Sequence, residues 1–88
     1  MSDEEIFEEL RSLCVSLLDA DPAALSPATD LRRDLEADSL DLAELVTAAE
    51  VRFGHPFDFD LALRMQTLAD AVTLVRATVD RGRSAQPG

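Results

Sequence analysis

The sequence predicts an all-α fold, a small four-helix bundle of three long helices and one short one with a long loop after the first. Apolar residues recur at i, i+3/i+4 spacing in separate runs, and nowhere do they alternate with polar residues as a half-buried strand requires. Helix-breaking residues, Pro22 and the Gly54–Pro56 pair, fall between those runs. The chain has 88 residues, 47% of them hydrophobic, which suits one small core and leaves no room for a second domain.

The first helix spans Asp3 to about Asp19, with Ile6, Leu10, Leu13, Cys14, Leu17 and Leu18 on its apolar stripe. Ser2 or Asp3 caps it, and Asp3, Glu4 and Glu5 suit the positive end of its dipole. Cys14 lies on the stripe and reads as a buried, inert thiol. After Pro22 about eighteen residues pass before the next periodic run, a length that usually signals function. Leu25, Leu31 and Leu35 can anchor this loop to the core. The second helix begins at Asp38 or Ser39 and ends near Phe53, stopped by Gly54 and Pro56. Its inward stripe is Leu42, Leu45, Val46, Ala49 and Phe53, and Asp41, Glu44 and Thr47 form an acidic outer ridge. A short helical turn follows at about Asp60 to Arg64. Thr67 and Asp70 form a capping-box variant that opens the last helix, whose stripe is Leu68, Val72, Val75 and Val79 beside Ala71 and Leu74. The folded domain is expected to cover residues 1–81, with 82–88 a disordered tail lacking apolar anchors.

Eighteen acidic residues face eight basic ones, all arginine, for a formal charge of −10. That balance argues against nucleic acid and anionic membranes as partners. The charge is concentrated in the first two thirds of the chain. With no lysine there is no Schiff-base chemistry, and one cysteine with one histidine cannot build a Cys/His zinc site or an internal disulfide. The acidic N-terminus differs from a signal peptide, and no apolar run approaches the roughly 18 residues of a membrane span. The expected setting is the cytoplasm.

By residue type alone, Asp38 and Ser39 read as helix caps. A serine at that position also places a hydroxyl beside backbone N–H groups that favour a phosphate. The stretch from Asp30 to Val46, centred on Asp38-Ser39-Leu40, resembles the carrier-site signature of acyl carrier proteins. The likeness extends from about residue 5 to 79 through Pro22, Leu25, Thr29, Asp30 and Leu31 upstream, and through Phe53 and the Met65–Val72 run downstream.

The resemblance implies that Ser39 carries 4′-phosphopantetheine and that the arm's thiol holds acyl groups as thioesters for partner enzymes. It implies a carrier with no catalytic residues and no metal site of its own. A phosphopantetheinyl transferase would supply the base and Mg²⁺ for attack on coenzyme A. His55 is too far along the second helix to act as that base, and reads as a loop residue. The arm would reach roughly 18 to 20 Å, comparable to five or six extended residues. Asp38, Leu40, Asp41, Glu44 and Thr47 stand where the family meets its partners. Those partners are expected to be acyltransferase, ketosynthase or other synthase enzymes with basic docking surfaces, met by a monomer in fatty acid or polyketide and other specialised-metabolite biosynthesis.

Several positions depart from the family pattern. Glu36 stands where the family usually has Gly, a residue that permits positive φ. Val51 and Arg52 replace the acidic end of the second helix common in fatty-acid carriers. Ala49 replaces a larger aliphatic, which either opens room for an acyl chain or leaves space for Phe57, Phe59 and Met65. A peptidyl or aminoacyl carrier shares the expected fold, but Glu36-Ala37 does not match its usual Gly-Gly. A calcium loop over Asp34, Glu36 and Asp38 fails because Ser39 and Leu45 occupy its Gly and Glu positions. An unmodified acidic interaction domain accounts for the charge but not for the whole signature.

Overall fold

The computed structural model describes residues 1–84. Its elements are α1 (Asp3–Leu18), a 3₁₀ turn (Pro22–Ala24), α2 (Ser39–Phe53), α3 (Phe59–Leu63) and α4 (Leu68–Ser84). The all-α expectation holds: among the described residues the only strand-like feature is an isolated antiparallel bridge between Asp30 and Thr67.

Each helix starts where its chemistry supplies partners for orphan amides. Ser2 Oγ accepts the Glu5 N–H while Glu5 accepts the Ser2 N–H, closing a capping box on α1. The Ser2 backbone N–H, and then its hydroxyl, hold the Glu5 carboxyl below its ordinary range. Asp58 caps α3 by accepting the Leu61 N–H. At α4, Thr67 accepts the Asp70 N–H, and Asp70 accepts the N–H groups of Gln66 and Thr67. Those two backbone donors, Gln66 first, pull the Asp70 carboxyl below its usual range. Gly54, at φ +75, ends α2 in the left-handed conformation that glycine adopts without strain.

Helix α1 packs along both α2 and α4, and α3 closes the space between α2 and α4. Ile6, Leu10 and Cys14 meet Leu31, Leu42, Leu45 and Leu68 in one core. Burial pushes the Cys14 thiol up to about 11, which keeps it protonated and inert at neutral pH. Ion pairs tie α1 to its neighbours, Asp3 to Arg76 on α4 at 2.7 Å and Glu9 to Arg52 on α2.

The long loop is stitched to the start of α4. Leu31 N–H donates to Gln66 O at 2.8 Å, Leu68 N–H to Thr29 O at 3.0 Å, and Ala69 N–H to Pro27 O at 2.9 Å. Leu25 and Leu31 are buried and Leu35 half-buried, as the anchor reading expects. Thr29 is buried as well, its hydroxyl accepting the Ser26 N–H.

Two expectations need correction. The buried seam of α4 is Leu68, Ala71, Val75 and Thr78, with Val72 and Val79 only half-buried on its flanks. Leu68, Ala71, Val75 and Thr78 fall at i, i+3, i+7 and i+10 and so share one face of the helix, with Val72 and Val79 one position round from it. The helix also runs to Ser84, past the expected boundary at Arg81. The remainder of the expected tail, residues 85–88, lies outside the described residues.

Candidate functional site

The site forms where the loop becomes α2. Asp38 is extended (φ −94, ψ −175), and its Oδ1 accepts the Asp41 N–H at 2.8 Å. Asp41 Oδ2 in turn accepts the Asp38 N–H at 3.1 Å, a reciprocal box built from two carboxylates at the positive end of the helix. Intrahelical bonding begins with the Leu42 N–H to Asp38 O at 3.0 Å. The N–H groups of Ser39 and Leu40 therefore have no acceptor within the helix.

Ser39 is exposed at the first helical position. The side-chain bonds around it engage Asp38, Asp41 and Thr47, and leave its hydroxyl free among the described residues. The approach to Ser39 is fixed from behind. Ala37 is buried and donates its N–H to Leu31 O at 3.1 Å. Glu36 adopts φ +56, the left-handed conformation expected of the glycine that usually stands there. For a non-glycine residue this stores about 1 kcal/mol or more of strain.

Among the described residues no base is placed to activate Ser39. His55 lies beyond the far end of α2, a helix of 15 residues, or about 22 Å at 1.5 Å per residue. The Asp38 and Asp41 carboxylates are occupied by each other's amides. A serine hydroxyl without a base is a weak nucleophile, so reaction here needs an external catalyst.

The outer ridge differs from its expected form. Asp41 turns back into the capping box and is half-buried. Leu40 is 67% exposed in its place, followed by exposed Glu44 and Thr47 and then Val51 at 81%. Thr47 donates its hydroxyl to Ala43 O at 3.0 Å. Leu40, Glu44, Thr47 and Val51 thus form one face, acidic in the middle and apolar at both ends. Val51 was legible in the sequence as a departure, but its place on this face follows from the helical register.

Behind the ridge, Ala49 leaves an apolar cavity of about 20 Å³, roughly the space of one water. Leu10, Val46, Phe57, Met65, Leu74 and Val75 line it. Of the three side chains expected there, Phe57 and Met65 fill the space, whereas Phe59 is 44% exposed and does not.

A protein-family model described as phosphopantetheine attachment site matches residues 8–75. The chain is 41% identical over 75 residues to an acyl carrier protein of Caulobacter vibrioides, covering 85% of this chain and 94% of that one. It is 37% identical over 73 residues to an acyl carrier protein of Picosynechococcus, covering 83% and 90%. Acyl carrier protein 3 of Ralstonia nicotianae is 35% identical over 79 residues, covering 90% and 91%. The chain belongs to the acyl carrier protein family.

Acyl carrier proteins are carriers rather than catalysts, and the prosthetic group of this family is 4′-phosphopantetheine. The start of α2 fits that group: an exposed free hydroxyl for the ester link and two amides without helical acceptors for the phosphate. The buried Cys14 cannot stand in for an external thiol. Among the described residues, no group of acidic, histidine and cysteine side chains is arranged to hold a metal ion. No described helix is long and apolar enough to cross a membrane.

Proposed function

We propose that Ser39 is the attachment point for 4′-phosphopantetheine and that this carrier delivers acyl groups to partner synthase enzymes. The observation that carries this reading is the free, exposed Ser39 hydroxyl at the start of α2, inside the matched segment. When bound, the group supplies a terminal thiol that holds the acyl chain as a thioester. The protein holds Ser39 at a fixed exit angle through the Asp38–Asp41 box and the Leu31–Ala37 bond. A phosphopantetheinyl transferase provides the base, since none is placed beside Ser39 among the described residues.

The docking face is Leu40, Glu44, Thr47 and Val51, with Asp38 and Asp41 contributing negative charge beside Ser39. Exposed ion pairs contribute about 0.2–1 kcal/mol each, so contacts with a basic enzyme surface are weak and salt-sensitive. A carrier that must leave every enzyme it visits needs such contacts. The apolar Val51 and the Arg52–Glu9 pair leave little free acid at the far end of α2. This pattern favours a dedicated polyketide or other specialised-metabolite synthase over general fatty acid elongation. The protein acts as a monomer in the cytoplasm.

Incubation with coenzyme A, Mg²⁺ and a promiscuous phosphopantetheinyl transferase tests the assignment. Intact mass should rise by one phosphopantetheine, and proteolytic mapping should place it on the peptide containing Ser39. A modification mapped elsewhere contradicts the reading. For the pathway, a bacterial fatty-acid ketosynthase should use the acylated protein poorly, and Val51→Glu should improve its use. Efficient turnover of the unaltered protein would favour fatty acid synthesis instead.

A further inference from the structure

Arginines in so acidic a chain should find carboxylates, and several do. Arg11, Arg52 and Arg76 pair with Glu8, Glu9 and Asp3. Arg32, Arg33 and Arg64 make no ion pair among the described residues, yet all three line one open cleft of about 720 Å³. One wall is the loop turn that carries Asp30, Arg32 and Arg33, and the other is the connection from Leu63 to Gln66 between α3 and α4. Asp30 is the only carboxylate lining this cleft, so three guanidinium groups face one negative charge there, and the net positive charge favours an anion.

Asp30 and Asp34 bond backbone amides and form no ion pair with the arginines among the described residues. Asp30 Oδ1 accepts the N–H groups of Arg32 at 3.0 Å and Arg33 at 2.8 Å, and Asp34 Oδ2 accepts the Asp30 N–H at 2.8 Å. These bonds fix the turn that presents both arginines. Two further bonds hold the walls together, Leu31 N–H to Gln66 O at 2.8 Å and Arg32 Nη2 to Leu63 O at 3.3 Å. The cleft is therefore formed before any ligand arrives.

It also lies close to Ser39 along the chain. The Ala37 N–H meets Leu31 O at 3.1 Å, folding the loop back on itself. Ser39 is two residues beyond Ala37, and Arg33 is two beyond Leu31. At 3.8 Å per Cα step, the Cα atoms of Arg33 and Ser39 lie within about 20 Å of each other. A phosphopantetheine arm spans that distance.

We propose that the Arg32–Arg33–Arg64 cleft seats the free carboxylate of a dicarboxylic acyl group carried on the arm. This rests on Ser39 as the attachment point. Exposed guanidinium contacts are individually weak, and a free dicarboxylate would bind poorly. A tethered one reaches an effective concentration of about millimolar, enough to occupy a weak site. The cleft thereby distinguishes acyl groups with a terminal carboxylate from those without one.

The test follows the arginine side-chain Nε–H signals by NMR in four forms of the protein. These are apo, holo, acetyl-loaded and malonyl-loaded, the last three made by a promiscuous transferase from coenzyme A and its acetyl and malonyl thioesters. Malonyl loading should shift Arg32, Arg33 and Arg64, acetyl loading should not, and Arg81 should stay still. In the Arg33→Gln/Arg64→Gln variant, whose unchanged melting curve reports folding, the Arg32 shift should vanish. Signals that move fully from apo to holo and no further assign the arm's phosphodiester as the anion and overturn the dicarboxylic reading. Signals that never move in a protein of the correct holo mass overturn the cleft alone, and absence of any mass gain overturns the carrier reading with it.

Discussion

The two sides of this bundle treat charge in opposite ways. On the α1 side, Asp3 and Glu9 are tied to Arg76 of α4 and Arg52 of α2, so acids there join elements of the fold. On the side formed by the loop and the start of α2, Glu44 stands exposed, and Arg32, Arg33 and Arg64 have no carboxylate partner among the described residues. The first arrangement serves stability. The second leaves charge open to solvent, where it costs self-repulsion and is available to a partner or a ligand.

The largest expected effect lies in the core that both sides share. Leu42 is fully buried beneath the docking face, and Leu42→Ala should cost about 2–5 kcal/mol in denaturant unfolding. Leu40→Ala, two residues away and exposed, should change stability by less than about 0.5 kcal/mol while slowing transfer of the prosthetic group. Equal losses of stability would erase the distinction between the two faces. Removing the cap with Asp38→Ala should cost about 0.5–2 kcal/mol, since it frees the Asp41 amide and opens the box.

Relief of strain should act in the other direction. Glu36→Gly removes the left-handed penalty and should add up to about 1 kcal/mol. That corresponds to a rise of about 4–8 °C in melting temperature for a domain of this size. On the α1 side, Arg76→Ala should lower the melting temperature only slightly, and the loss should shrink with added salt. Glu44→Gln should leave the melt unchanged and weaken docking.

The acidic caps give the comparison a pH signature. The Asp70 carboxyl is held below its ordinary value in the folded protein, so its stabilisation is present above the unfolded value of about 3.9. It is lost as pH falls through the lower folded value. Melting curves of the wild type and Asp70→Asn should therefore converge as pH drops below about 4. A constant gap across that range would show that the cap does not act through the ionised carboxylate.

The helices were legible because their apolar spacing and breakers are local signals. Asp38 and the Thr67–Asp70 box were legible for the same reason, since a cap is written within four residues. The burial of Thr78 was not, because hydrophobicity favours Val79, whereas the register of Leu68, Ala71 and Val75 puts Thr78 on the buried face. The inward turn of Asp41 was missed because one side chain cannot both cap Asp38 and face outward, and its spacing with Glu44 and Thr47 suggested the second. Positive φ at Glu36 followed only from the family's glycine. The arginine cleft was invisible, since Arg64 meets Arg32 and Arg33 only through the pairing of the loop with the start of α4.

The central claim is that Ser39 is free of any structural task and is held out for chemistry supplied by another enzyme. Ser39→Ala, assayed in parallel by thermal melting and by intact mass after reaction with coenzyme A, Mg²⁺ and a phosphopantetheinyl transferase, tests it most directly. The melting temperature should be unchanged and the mass gain seen in the wild type should be lost completely. The same mass gain in Ser39→Ala would contradict the claim.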